Sequence, residues 1–273
     1  QLVEVLADFW HNHFNVYFWQ DDGVPLLVSY NRDVLRAHML GNFRQMLEAV
    51  ATHPSMLYYL NQNNSSDAGP NENFARELFE LHTLGAENYF GVQDPNSIAK
   101  DANGIAIGYV DNDVYESARA LTGWTYAPYP GGLAKHEEDQ RYYGSPMVAV
   151  ASQHDTAAKR LLRGISLPAG QTADADLRAA LRNVFLHPNV GPFIGRQLIR
   201  HLVTGSPSPA YVDRVAAVFD DDGAGMRGNL KAVVRAILLD PEARGAPDAN
   251  ARYGRFREPA LYVTAFLRGV GAA

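Results

Sequence analysis

Cysteine is absent from the 273-residue sequence. This absence excludes disulfide scaffolds, zinc–thiolate sites, iron–sulfur clusters and cysteine nucleophiles. It leaves the cellular compartment open, because a chain of this length can bury a core large enough to fold without a disulfide. Any metal site in this chain would therefore have to be built from histidine and carboxylate ligands.

Long apolar runs and clusters of positive charge are missing as well. No stretch reaches the roughly 18 to 20 apolar residues that span a bilayer, so the sequence predicts no membrane span. The chain has 24 Lys and Arg residues against 30 Asp and Glu, a formal net charge of −6. This balance argues against nucleic acid as the main partner, because neutralising phosphates requires clustered positive charge.

Helical periodicity is abundant. Apolar residues recur with a period near 3.6 over most of the chain, and Gly, Pro, Asn and Asp mark the breaks. The predicted helices cover residues 2–17, 31–50, 56–60, 71–84, 114–121, 156–163, 172–186, 189–202, 209–219, 229–239 and 258–267. We therefore expect a mainly α-helical protein, a compact multi-helix array forming a single domain over residues 1–273.

Residues 124–153 interrupt the helical pattern. Pro, Gly and Tyr accumulate there, and residues 147–150 have the composition of a short strand, which predicts a loop-rich insert with one β-hairpin. Trp124 and Tyr126 lie at the start of this insert. Aromatic side chains in such a loop either stack on a sugar ring or pin the loop onto the helices, and the sequence leaves both alternatives open.

The segment 70–85 has the most distinctive polar pattern. Glu72, Arg76 and Glu80 follow each other at i, i+4 spacing, which allows a ladder of opposite charges on one helix face. That face is either solvated or lines a cleft and supplies paired carboxylates for acid–base chemistry or metal binding. On a helical wheel its polar residues share an arc of roughly 140°, namely Glu72, Asn73, Arg76, Glu77, Glu80 and Thr83.

Three histidines are candidates for function. His13 and His82 fall on the apolar sides of their predicted helices, where each either makes one structural hydrogen bond or acts as a buried imidazole beside a carboxylate. His154 precedes Asp155 at the junction of a predicted strand and a predicted helix. Asp155 is placed to be the N-cap of that helix, and the same pair would suit a metal-ligand pair or an acid–base dyad.

Several blocks together resemble a known bacterial family. They include Phe-Trp-His-Asn-His-Phe at residues 9–14, Leu-Gly-Asn-Phe at 40–43, the whole segment 70–85, and Ala-Arg-Ala-Leu-Thr-Gly-Trp at 118–124. His154 and Asp155 with Lys159 form a further block, and His187 with Pro188 another. The sequence resembles the family called domain of unknown function 1800 along nearly its whole length.

The resemblance implies an exported protein, periplasmic or secreted, because family members usually carry a leader and a further N-terminal helical portion. It also implies a sulfatase-like companion protein, which often accompanies family members. This chain begins at Gln1, which indicates a processed or shortened product, and residues 93–112 resemble an insertion relative to the family. The family has no assigned activity, so the resemblance implies no reaction.

The leading functional hypothesis is a hydrolase that acts on a glycan through a carboxylate and histidine cleft. A glycosidase needs one protonated and one ionised carboxyl group. Either Glu72 or Glu80 would serve as the acid, and either Asp155 or Glu77 as the base or nucleophile. The other residues assigned to this site are Arg76 beside the carboxylates and, for substrate binding, Asn73, Trp124 and Tyr126.

Two alternatives remain open. One is a metal-dependent enzyme whose divalent cation is held by His13, His82, His154 and Glu72. The other is a non-catalytic protein that binds cell-surface glycans or serves a partner enzyme. In this last case the polar helix face is an interface and the histidines are structural.

Overall fold

A computed structural model describes residues 1–17, 24–132, 142–245, 254–255 and 259–271. These ranges contain twelve α-helices and four two-residue strands, and the mainly α-helical prediction is confirmed. The helices are α1 (Leu2–His13), α2 (Val24–Ser29), α3 (Phe43–Thr52), α4 (Pro54–Tyr59), α5 (Asn73–Glu77), α6 (Asp111–Ala120), α7 (Ala173–Phe185), α8 (Val190–Leu202), α9 (Pro209–Asp220), α10 (Leu230–Leu239), α11 (Pro241–Arg244) and α12 (Pro259–Gly269). Two helices continue into π-helical turns, α2 through Tyr30–Arg36 and α5 through Leu78–Thr83.

Side-chain caps set the starts of four longer helices. The side chains of Asn42, Thr172, Ser208 and Asn229 each accept a hydrogen bond from a backbone N–H two or three residues further on. Such a bond satisfies one of the N–H groups that the first helical turn leaves without a partner. The cap at Asn42 also divides the predicted helix 31–50 into a π-helical turn and the separate helix α3.

One buried apolar cluster extends along the chain from Leu6 to Ile237. Phe43 lies near its centre, with its ring centroid 6.0 Å from that of Trp10 and 5.8 Å from that of Phe219. Helices α8 and α9 pack so closely at Gly195 that a Cβ there would lie 3.0 Å from Val215 Cγ1. This cluster joins both halves of the chain through side-chain packing.

The strands form two small antiparallel pairs. In the predicted insert, β1 (Trp124–Thr125) pairs with β2 (Val148–Ala149), which agrees with the expected hairpin, while residues 133–141 lie outside the described ranges. Further along, β3 (Lys159–Arg160) pairs with β4 (Ser166–Leu167).

The helix predicted over residues 156–163 is wrong. Asp155 does not cap a helix there; its Oδ1 accepts a hydrogen bond from the N–H of Ala157 at 2.8 Å and closes a local turn. Arg163 and Gly164 have φ values of +64° and +71°, a left-handed conformation that ends the regular backbone and turns the chain from β3 into β4.

Two other helices begin earlier than the predicted ranges 56–60 and 114–121. His53 caps α4, and its Nδ1 accepts from the N–H of Ser55. Asp113 lies inside the first turn of α6, where its Oδ2 accepts from the N–H of Val110. Across the described ranges, no helix combines the length and apolar composition needed to cross a bilayer.

Candidate functional site

The polar face of α5 is partly committed to an ion-pair network. Arg76 Nη2 lies 2.9 Å from Glu72 Oε2 and 3.2 Å from Asp111 Oδ1, at the start of α6. The hydroxyl of Tyr89 donates to the same Asp111 oxygen at 2.5 Å, and the Arg76 guanidinium lies over the Tyr89 ring. Glu72 and Arg76 therefore connect α5 to α6.

Among the predicted catalytic carboxyl groups, Glu77 and Glu80 interact with each other. Neither forms an ion pair with a described cation. Glu77 Oε2 is buried and has no hydrogen-bond partner among the described residues. Burial, and next the charge of Glu80, raise the pKa of Glu77 above its usual value. The buried hydroxyl of Tyr109 also lacks a described partner, and burial and Glu80 both raise its pKa. A carboxyl group whose ionisation is disfavoured, placed beside a second carboxyl group, suits acid–base chemistry.

His13 and His82 lie beside each other between α1 and the π-helical turn. His13 Nε2 is 3.0 Å from the carbonyl oxygen of His82, so Nε2 donates and Nδ1 keeps its lone pair. Burial lowers the pKa of His13 to about 4 and that of His82 to about 3. Both rings are therefore neutral at neutral pH, and no carboxylate from the α5 segment is bonded to either.

His154 and Asp155 belong to a separate buried network. His154 Nε2 lies 3.1 Å from Asp176 Oδ2, and Lys159 Nζ lies 2.8 Å from the same oxygen. Arg119 Nε donates to Asp155 Oδ2 at 2.7 Å. Burial opposes ionisation of Asp176, but the hydrogen bonds from His154 and Lys159 outweigh it and lower the pKa of the carboxyl group. This network fixes the 154–160 segment against α6 and α7.

The described residues do not bring the predicted metal ligands together. His154 is bonded within its own network, whereas His13 and His82 contact each other. Among the residues that the structure describes, no three or more His, Asp or Glu side chains converge as a group that could hold a metal ion.

The two aromatic residues predicted to bind substrate pack inside the protein. Trp124 is 5% exposed and Tyr126 is 2% exposed, so neither presents a ring face to a ligand. The structure therefore favours the alternative in which these aromatics hold the loop against the helices. Asn73 is the one predicted substrate-binding residue at the surface, and its N–H donates to Asn71 Oδ1.

A concave surface lined by arginines was not predicted from the sequence. It has a volume of about 520 Å³ and lies between the first turn of α3, the second half of α7 and the turn that joins β3 to β4. Aliphatic side chains, including Ile165 and Leu186, cover much of its wall. We call it the arginine cavity, after Arg44, Arg163, Arg178 and Arg182.

The four arginines differ in how they are held. Arg178 donates to Glu48 at 2.7 Å and to Asp174 at 2.9 Å, and Arg163 Nη1 donates to the carbonyl of Leu186 at 3.1 Å. The side chains of Arg44 and Arg182 make no hydrogen bond or ion pair with any described residue. Two guanidinium groups in the cavity thus retain their full set of donors for a ligand.

Arg163 has a left-handed backbone conformation, which is unusual for a residue other than glycine. Its φ and ψ of +64° and +18° cost about 1 to 2 kcal/mol. Strain of this kind persists where the surrounding structure imposes it, and it is common at binding sites. Here the pairing of β3 with β4 holds the turn that carries Arg163 over the arginine cavity.

One feature of the sequence could have indicated this cavity. Arg178 and Arg182 are one helical turn apart on α7, a like-charge spacing that mildly destabilises an isolated helix. Arg44 and Arg163 come from distant parts of the chain, so their approach to α7 depends on the tertiary fold.

Comparison with known proteins gives a family and nothing finer. The family model described as "Protein of unknown function (DUF1800)" matches residues 1–273, which confirms the resemblance seen in the sequence. Neither the curated proteins nor the solved structures contain a match. The chain therefore belongs to the DUF1800 family of proteins of unknown function.

Proposed function

We propose that the protein binds an acidic glycan in the arginine cavity. The observation that carries the proposal is the gathering of four arginines, two of them without partners among the described residues, in a chain of net charge −6. Guanidinium groups bind carboxylate and sulfate oxygens bidentately. The aliphatic wall beside them suits the C–H face of a sugar ring, because binding sites combine apolar surface with a few placed polar groups.

The lining favours a glycan over a nucleic acid. The described residues around the arginine cavity include no aromatic side chain on which a base would stack.

The proposal includes an extracytoplasmic location and a sulfatase-like companion protein. Both come from the family resemblance. An acidic cell-surface glycan is a ligand that such a location makes available, and a sulfatase-like partner would act on sulfate groups of the same class of ligand.

Binding is tested by calorimetry with oligogalacturonate, a carboxylate polymer, and with neutral dextran. We expect the oligogalacturonate alone to bind, and Arg44→Glu and Arg182→Glu each to weaken its affinity about tenfold or more, which corresponds to about 1.4 kcal/mol. Both side chains lack described partners, so the fold should tolerate the changes. Arg235→Glu on α10 is the matched control, because Arg235 is exposed like Arg182 and lies outside the cavity lining.

Three results would overturn the proposal. One is equal binding of dextran and oligogalacturonate. Another is an equal loss of affinity in Arg235→Glu, which would indicate a general charge effect. The third is tighter binding of single-stranded DNA than of oligogalacturonate at the same salt concentration.

A second candidate function is hydrolysis of an acidic glycan by Glu77 and Glu80, which lie outside the lining of the arginine cavity. The observation that favours it is the unpartnered Glu77 Oε2, whose carboxyl pKa is raised beside Glu80. The raised pKa of Glu77 favours the reverse of the roles predicted from the sequence, with Glu77 as the acid and Glu80 as the base. Release of reducing ends from oligogalacturonate should fall at least a hundredfold in Glu77→Gln and in Glu80→Gln, and Asp213→Asn on α9 should leave it unchanged. Full activity in both glutamine variants would exclude this function.

A further inference from the structure

We infer that the arginine cavity is the middle of a longer basic groove, which binds the acidic glycan as an extended chain of several charged units. The inference rests on the proposed function and adds the length and form of the ligand. Two neighbouring cavities each share one arginine with the arginine cavity, and each contributes further cations.

The first neighbouring cavity continues the groove past Arg44. It has a volume of about 740 Å³ and lies between residues 40–48, Phe185 and residues 225–229. Glu48 stands at the boundary, where its Oε1 accepts from Arg178 at 2.7 Å. Because that carboxylate is paired with Arg178, it leaves Arg44 of the same lining without an ion-pair partner among the described residues.

Arg227 is the cation of this first extension, and its Nη1 forms an ion pair with Asp220. Its Nε donates to the carbonyl of Phe185 and its Nη2 to that of His187, while Arg163 donates to the carbonyl of Leu186 from the arginine cavity. Arginines from two cavities thus meet at the C-terminal end of α7, where the helix dipole favours cations. Arg227 also lies 5.4 Å over the Phe185 ring, which fixes its plane.

The second neighbouring cavity continues the groove past Arg163. It has a volume of about 240 Å³ and is lined by Lys100 and Arg160 among others. Arg160 Nη2 donates to Asn96 Oδ1 at 3.1 Å, and the exposed Lys100 side chain makes no bond with a described residue. The acid in this lining, Asp113, is buried and bonded to the N–H of Val110.

The spacing of the cations suits a repeating anion. Arg178 and Arg182 are separated by about 6 Å along the helix axis, close to the length of one sugar unit. Past Arg163 the row of cations continues with Arg160 and Lys100, neither of which forms an ion pair with a described residue, so successive acidic units meet successive charges. Each added unit then binds at high effective concentration, and affinity rises with chain length until the groove is filled.

The test measures the affinity of oligogalacturonates of two, four and eight units at several salt concentrations. We expect affinity to rise at least tenfold from two units to eight, and the salt dependence to steepen, because more counterions are displaced. Lys100→Glu should weaken binding of the eight-unit chain and leave the two-unit chain unchanged. Arg235→Glu is again the matched control, and circular dichroism verifies that each variant is folded.

The outcomes separate the two proposals. If two units bind as tightly as eight and Lys100→Glu changes neither affinity, the extended groove is overturned and the proposed function stands. If no chain length binds, the proposed function fails and the groove with it. If Lys100→Glu weakens the two-unit and eight-unit chains equally, the cavities do not act as successive subsites and the inference is overturned.

Discussion

Lys159 Nζ lies 2.8 Å from Asp176 Oδ2, and the two side chains are 1% and 0% exposed. The same carboxylate also accepts from Gln171 through its other oxygen and lies 3.1 Å from His154 Nε2. A charge pair this deeply buried is tolerated because further hydrogen bonds satisfy both partners. It anchors β3 to α7 and leaves His154 without access to a ligand.

Removing one partner of this pair should destabilise the protein severely. Lys159→Met leaves the Asp176 carboxylate buried with fewer donors, and we expect a loss of about 3 to 5 kcal/mol in the free energy of unfolding. Urea denaturation at pH 7 measures the loss. Arg32→Ala, which breaks the exposed pair with Asp33, is the control and should cost less than about 1 kcal/mol. Similar losses in both variants would contradict the buried network.

Stability should fall as the pH decreases from about 6.5 towards 4. The folded-state pKa values of His13 and His82 are about 4 and 3, below the ordinary range of histidine, so the unfolded chain takes up protons first. In His82→Leu, one such group is gone. The difference in unfolding free energy between pH 7 and pH 5 should shrink by about 1 to 2 kcal/mol. An unchanged difference would show that His82 titrates normally in the fold.

The pH dependence of stability linked to Glu77 should be opposite to that linked to His13 and His82. Its raised pKa means that the fold disfavours the carboxylate, so the stability linked to this group is present at low pH and lost as the pH rises through the folded pKa. We expect Glu77→Gln to raise the unfolding free energy at pH 7 by about 0.5 kcal/mol. Glu72→Gln, which loses the bond to Arg76, should lower it instead.

That contrast would also bear on the second candidate function. A carboxyl group retained at a cost to stability is typical of a functional site. If Glu77→Gln were as destabilising as Glu72→Gln, Glu77 would be a structural residue.

Gly123 should tolerate no side chain. Its φ is +84°, and a Cβ there would lie 2.9 Å from the backbone nitrogen of His154. Gly170 has a similar φ of +83°, but a Cβ there would have no atom within 4 Å, so Gly170→Ala reports the backbone strain alone. We expect Gly123→Ala to be the more destabilised variant by about 1 to 3 kcal/mol in thermal or urea unfolding. Equal effects would mean that the 153–154 segment can move away.

The helical class was predictable because its signals are local. A period of 3.6 residues and the caps at Thr172 and Asn229 act within a few residues, so they can be read without knowing the fold. The error at residues 156–163 has the same origin. Asp155 has the sequence context of a helix cap, and the left-handed turn at Arg163 has no local signature.

The candidate site was predictable in part. Residue spacing identifies the segment 70–85 as amphipathic, but its partners are not accessible from spacing alone. Asp111 pairs with Arg76 and thereby commits part of the polar face, and Trp124 is buried by strand pairing. Both outcomes depend on residues at least 25 positions away along the chain.

The sequence by itself determined a mainly helical, cysteine-free chain of the DUF1800 family, because periodicity, composition and motif order are properties of the sequence alone. Only the tertiary structure decided which polar residues are buried and which line a cavity. It buried the His154 pair, and it gathered Arg44, Arg163 and Arg182 from three distant segments around one cavity. Charge dispersed along an acidic chain became a basic groove because packing of α3 against α7 placed those segments together.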